Sequence, residues 1–205
     1  MEHEANLRKV AVALCVSGAV LGLVVSLVSH AGPTGKPGCR TADCLAPRQL
    51  VTPREAWNLR RELRDHAVIV DVRGRAESFY TGMPLGVDAQ VPFMEPAMPF
   101  EWDAADREPR MEFRNDFTAR MDEVLRERHV KHDEAVILLC RTGERAVLAA
   151  LLLQEHGYSN VYVVREGFEG RTAARADGTE MHVRGGWKDA GLPWTARAEA
   201  RWSAN

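Results

Sequence analysis

Positive charge is not in excess in this chain of 205 residues: 27 Lys and Arg stand against 29 Asp and Glu, a formal net charge of −2. Without a basic face or stripe, the composition asks for no nucleic-acid partner. No internal repeat divides the sequence, so it is read as one unit rather than as a stack of modules. Cysteine is scarce, with four in the whole chain. Two of them, Cys39 and Cys44, enclose Arg-Thr-Ala-Asp. That spacing is not the C-x-x-C-H of haem attachment, and no second ligand pair completes a zinc site, so no metal is expected. What remains is the composition of a globular protein, 45% hydrophobic and 27% charged, with room for one ordinary domain and a short appendage.

The appendage lies at the start. Residues 10–28 carry no charge and follow Arg8 and Lys9, the layout of an export signal. Ser29-His30-Ala31 offers small residues for cleavage after Ala31. The run is also just long enough to span a bilayer, so residues 1–31 are expected to be a signal peptide or a membrane anchor. Lys36, Arg40 and Arg48 beyond its far end weaken the charge argument for orientation. Residues 32–48 form a Gly/Pro-rich linker. In an oxidising compartment Cys39 and Cys44 are candidates for a local disulfide, with reduced or metal-linked thiols as alternatives. A domain behind such a segment is expected to be periplasmic or otherwise extracytoplasmic.

The rest is organised around Cys140-Arg141-Thr142-Gly143-Glu144-Arg145. An apolar, β-branched run at 135–139 precedes it and reads as a buried parallel strand. A helical pattern at 145–156 follows, with Val147, Leu148, Leu151 and Leu152 at helical spacing and Gly157 placed to end it. A cysteine between a strand end and a helix start meets unpaired N–H groups and the positive end of the helix dipole. Both favour thiolate, so Cys140 is expected to have a depressed pKa and to act as a nucleophile. Arg141 and Arg145 would attract an anion, Thr142 and Gly143 would shape the loop, and Glu144 is expected to point to solvent.

Cysteine phosphatases and some arsenate reductases need the arginine at the sixth position after the cysteine, where this chain has Ala146. Arg145 comes one residue earlier, and the shorter loop makes a narrower cradle. A Cys-His hydrolase would need an imidazole near Cys140, and neither His156 nor His182 sits in a hydrolase motif. Sulfur chemistry is therefore favoured over phosphoryl or acyl transfer.

The loop resembles the C-R-x-G-x-R active-site loop of rhodanese-type sulfurtransferases. Three further segments agree in order: Val68-Ile69-Val70-Asp71-Val72-Arg73, Glu166-Gly167-Phe168-Glu169-Gly170, and the ending Gly185-Gly186-Trp187-Lys188 with Gly191-Leu192-Pro193-Trp194. The similarity covers residues 49–194 and is to bacterial single-domain members. It implies an α/β fold: a rhodanese-like parallel sheet with helices on both faces, over residues 49–195, before a tail at 196–205. It further implies a Cys140 persulfide as the only carrier, with no cofactor. Asp71, Arg73 and Glu166 would support the site. The donor would be a small sulfur anion such as thiosulfate and the acceptor a thiol or cyanide, served by a monomer. Two alternatives stay open: a binding module, which usually lacks the cysteine, and a thiol or persulfide redox partner using Cys39 and Cys44.

Local signals fill in the remainder. Thr52-Pro53-Arg54-Glu55 opens a helix with a capping box, burying Trp57, Leu59 and Leu63. Strands are expected at 67–72 and 161–164, and a short one within 86–93. Residues 115–128 read as an amphipathic helix with Phe117, Met121, Val124 and Leu125 inward. Alternating strands and helices imply a parallel sheet, with the site beyond the carboxyl ends of its strands. Residues 94–113 are expected to be an irregular insert that packs its methionines and Trp102 over the domain. Soft-metal binding is the other reading of that methionine cluster.

Overall fold

The computed structural model describes residues 45–46, 49–105, 108–174, 180–183 and 185–196. The expectations for residues 1–31, for Cys39 and Cys44 and for residues 197–205 lie outside the described residues. Among those described, no helix is long and apolar enough to cross a membrane.

The elements run β1 (Leu50–Val51), α1 (Pro53–Leu63), β2 (Ala67–Asp71), α2 (Arg75–Thr81), β3 (Met83–Pro84), β4 (Ala89–Gln90) and β5 (Met94–Pro96). They continue with β6 (Trp102–Asp103), β7 (Glu108–Pro109), β8 (Met111–Phe113), α3 (Phe117–Glu127), β9 (Ala135–Leu139), α4 (Glu144–Glu155) and β10 (Val161–Val164). β11 (Arg171–Ala174), β12 (Glu180–Val183) and β13 (Trp194–Thr195) follow among the described residues. The central sheet has the order β1-β10-β9-β2-β4, and every neighbouring pair is parallel.

β2 and β9 are buried at every residue, as continuous apolar runs require when both faces are covered. Their side chains alternate between two cores. Val68, Val70, Val136, Leu138, Val161 and Val163 pack with Phe117, Met121 and Leu125 of α3 and with Ala146, Ala150 and Leu153 of α4. Ile69, Ile137, Leu139 and Val164 pack on the opposite side with Ala56, Trp57 and Leu59 of α1 and with Trp187. The expected helix-covered parallel sheet is therefore present.

The Thr52 side chain accepts from the Glu55 N–H at 3.2 Å while the Thr52 N–H donates to Glu55 Oε2 at 2.7 Å, completing the capping box. The domain reaches further back than the motifs indicate. Leu45 is buried in the α3/α4-side core, and Gln49 Nε2 donates to the Val161 carbonyl at 3.0 Å.

Two expectations need correction. Residues 94–113 are not irregular: β5 pairs antiparallel with β8 and β6 with β7, making a two-stage hairpin. The insert also lays only part of its apolar material over the domain: Met94 packs against the α3/α4-side core, whereas Met98, Phe100 and Trp102 are 86%, 63% and 59% exposed. The backbone of the arm is largely satisfied by its own pairing, and it is its base (Phe93, Met94, Ala97) that packs inward. The short strand expected within 86–93 shrinks to β4. Its neighbours still follow the β2 edge, through Asp88 N–H to Ile69 O (2.8 Å), Val91 N–H to Asp71 O (2.9 Å) and Phe93 N–H to Val72 O (3.1 Å).

Candidate active site

Cys140 directly follows β9, and Gly143 caps the start of α4 with φ at 104°. A Cβ on Gly143 would stand 2.1 Å from the Arg165 carbonyl oxygen, so only glycine lets the loop pass beneath the end of β10. The Gly143 N–H donates to Cys140 Sγ at 3.1 Å. The N–H groups of Ala146 and Thr142 also point at the sulfur. The outward-facing carbonyls of the same loop are held by the following turn. Phe168 N–H donates to Cys140 O at 2.8 Å and Glu169 N–H to Arg141 O at 2.9 Å. A Cβ on Gly167 would lie 2.5 Å from the Arg141 carbonyl, so this clamp also depends on glycine. With its carbonyls tied outside, the loop directs its N–H groups inward. That is a backbone nest for a sulfur anion, at the amino end of a helix.

The sulfur itself is fully buried, and this overturns the expected low pKa. Burial pushes the Cys140 thiol above its ordinary value, and it outweighs the opposing pull of Arg145 and of the Ala146, Gly143 and Thr142 N–H groups. The dipole and the charges lie next to Cys140 in sequence, whereas the apolar core in which its side chain is packed, the one that holds Val147 and Leu138, is assembled from the whole chain.

Both loop arginines are tied to carboxylates from elsewhere. Arg145 Nη2 donates to Glu77 Oε1 on α2 at 2.5 Å, and Arg141 Nε donates to Glu169 Oε2 at 2.9 Å. Lys188 Nζ bonds the other oxygen of Glu169 at 3.1 Å and lies over the Phe168 and Trp194 rings. Glu144 is exposed, as expected. Glu77, Glu169 and Lys188 are absent from the residues expected at the site. α2 carries no strong periodic signal, and the carboxylate marked by the sequence was Glu166. That group turns instead to Arg165, at 2.7 Å.

Asp71 and Arg73 form a fully buried pair at the end of β2, with Nη2 to Oδ2 at 2.6 Å. Arg73 also donates to Gly82 O (3.0 Å) and to Thr81 Oγ1 (2.7 Å), and its guanidinium lies 4.2 Å above the Phe168 ring. Their side-chain hydrogen bonds go to each other, to Thr81 and to Gly82. They lock α2 and the 166–170 turn together, the two elements that supply partners to the loop arginines. Gly185-Gly186-Trp187-Lys188 closes the same corner: a Cβ on Gly186 would meet the Gly170 nitrogen at 2.2 Å, and Trp187 N–H donates to Gly167 O at 2.9 Å. Among the described residues no group of three or more His, Cys, Asp or Glu is arranged to hold a metal ion.

The sequence matches the family described as Rhodanese-like domain over residues 52–174, more than half of the chain. The chain belongs to the rhodanese-like family. It is similar to an uncharacterized protein of Rickettsia prowazekii, 29% identical over 147 residues, covering 71% of this chain and 96% of the relative. A second uncharacterized protein, from Rickettsia conorii, is 29% identical over 131 residues, covering 63% of this chain and 84% of its own length. Among solved structures, Rv0390 from M. tuberculosis is 32% identical with a TM-score of 0.48, over 71% of this chain and 96% of that one. The polysulfide-sulfur transferase homodimer of Wolinella succinogenes is 19% identical with a TM-score of 0.39, over 71% of this chain and 77% of that one. Within this rhodanese-like domain, the segments matched by resemblance converge on one corner, beyond the carboxyl ends of β2, β9 and β10.

Proposed function

We propose that the protein is a sulfurtransferase that moves a sulfane sulfur from an anionic donor, through a persulfide on Cys140, to a thiol or cyanide acceptor. The observation that carries this reading is the six-residue nest, with the Thr142, Gly143 and Ala146 N–H groups converging on one sulfur. In the first half-reaction the Cys140 thiol loses its proton to solvent and the thiolate attacks the outer sulfur of the donor. A new S–S bond forms, the donor's S–S bond breaks, and its electron pair leaves on the donor fragment, which is sulfite when thiosulfate is used. The terminal sulfur then sits about 2 Å beyond Sγ, carrying the negative charge that the nest stabilises as an oxyanion hole would. In the second half-reaction the acceptor attacks that terminal sulfur and the Cys140 thiolate departs, by the logic of thiol–disulfide exchange. The persulfide is the only carrier this chemistry needs. Ala146 stands where a phosphatase has its arginine, and its N–H faces the sulfur instead.

The test is mass spectrometry of the purified protein after incubation with a sulfane donor. One added sulfur on Cys140, absent in Cys140→Ser with unchanged circular dichroism, is the expected result. Retained transfer activity in that variant would sink the assignment. The compartment is a separate proposal resting on residues 10–28: a fusion of residues 1–48 to a reporter active only after export should be active. Membrane retention of the product would then distinguish an anchor from a signal cleaved near Ala31. A silent reporter would remove the export proposal.

A further inference from the structure

The two cations that the sequence offers to a donor are already answered by carboxylates. Arg145 is held by Glu77, and both groups are about four-fifths buried, with side-chain exposures of 21% and 20%. Arg141 is held by Glu169, which is 22% exposed and shared with Lys188. Around the nest, therefore, three cations face two carboxylates in close ion pairs. Of the remaining charged groups of this corner, Arg73 pairs with Asp71 and Arg165 with Glu166, while the exposed Glu144 of the loop itself sets a third carboxylate against the three cations. The sulfur meanwhile lies in an apolar core, where unbalanced charge is expensive.

Resting on the sulfur-transfer reading above, we infer that Glu77 and Glu169 are positioning residues that select the donor. They hold Arg145 and Arg141 in neutral pairs, so that the site favours a monoanionic, thiol-borne persulfide over the thiosulfate dianion. The charge count of the reaction carries the inference. Attack of the Cys140 thiolate on thiosulfate gathers three negative charges at the nest, shared afterwards between the bound persulfide and sulfite. Attack on an alkyl persulfide gathers two: the S–S bond of the donor breaks, its electron pair leaves on the alkyl thiolate, and the sulfur stays on Cys140. A site whose three cations are set against three carboxylates, beside a buried sulfur, tolerates the second load better than the first.

The experiment compares sulfur loading of Cys140 from thiosulfate and from 2-hydroxyethyl persulfide, in the native protein, Glu77→Gln, Glu169→Gln and the double variant. Glutamine keeps the shape and the accepting oxygen while removing the charge. The readout is the ratio of the two donors' kcat/KM, because any change in the thiol itself affects both donors and cancels. The native protein should favour the persulfide. Each substitution should shift the ratio toward thiosulfate by roughly five- to tenfold at low salt, with the shift shrinking as ionic strength rises. If Cys140 takes sulfur but the ratios stay within about twofold of native, or if the native protein favours thiosulfate, donor selection by these carboxylates is overturned while sulfur transfer stands. If Cys140 accepts sulfur from neither donor, the sulfur-transfer reading itself falls.

Discussion

The cysteine loop and the hairpin arm at 94–113 are both rich in charged residues but have opposite fates. In the loop both arginines and the Cys140 and Arg141 carbonyls have fixed partners, and the chain passes so close to its neighbours that side chains are excluded at Gly143, Gly167 and Gly186. In the arm the backbone pairs with itself, and Met98, Phe100, Trp102 and Phe113 stand largely in solvent. The difference teaches that order comes from different sources in the two places. The loop is ordered by contacts from the end of β10, from α2 and from the 166–170 turn, whereas the arm is ordered by local ladders. Substitutions in the first should therefore propagate, and those in the second should not.

The largest effect is expected at Gly143→Ala. The added methyl would meet the Arg165 carbonyl, and the residue would keep a left-handed φ, so a loss of ~3 kcal/mol or more should appear in denaturant unfolding. Cys140 should then no longer take up sulfur. A variant of native stability would break the claim that the loop is held by close approach. Asp71→Ala should be comparable in stability but less damaging to sulfur loading, costing ~3–5 kcal/mol because it leaves Arg73 buried without its carboxylate. A loss near 1 kcal/mol would instead mean that Gly82 O and Thr81 suffice for the guanidinium.

The raised Cys140 pKa sets the direction of a pH effect. Loading should speed up as pH rises through and beyond the ordinary thiol range, about 8.5, since the thiolate must form first. The same shift stabilises the fold fully below the unfolded thiol's pKa and is lost as pH rises through the higher folded value. A loading rate that is flat between neutral and alkaline pH would restore the low-pKa picture.

At the far end of α4, Tyr158 donates to Asp122 Oδ1 at 2.6 Å, with His156 and His132 also on that carboxylate. Burial pulls Asp122 upward, but these hydrogen bonds and imidazole charges outweigh it and leave the pKa lowered. Tyr158→Phe should cost ~1 kcal/mol near neutral pH, a modest figure because Asp122 is partly exposed. Stability from Asp122 is present above the unfolded carboxylate pKa and is lost as pH falls through the lower folded value, so the variant's deficit should shrink in acid. A deficit independent of pH would point to packing rather than to the carboxylate. The smallest effect is expected in the arm: Phe100→Ser with Trp102→Ser should change stability by less than ~0.5 kcal/mol each and leave sulfur loading intact. A large loss would mean that the arm supports the loop after all.

Local pattern determined much of this protein. Continuous apolar runs marked β2, β9 and β10, the Thr52–Glu55 capping box marked α1, and the strand-cysteine-helix order marked the loop and its resemblance. These signals are legible because period, capping and turn chemistry act between residues a few positions apart. The tertiary structure alone decided the rest. Glu77 meets Arg145 across 68 residues and Glu169 meets Arg141 across 28, so no local signal pairs them. Likewise the apolar surroundings of Cys140 come from α3, α4 and distant strands. Dipole and charge could be read beside the cysteine, but the desolvation that outweighs them depends on what the whole chain packs around it.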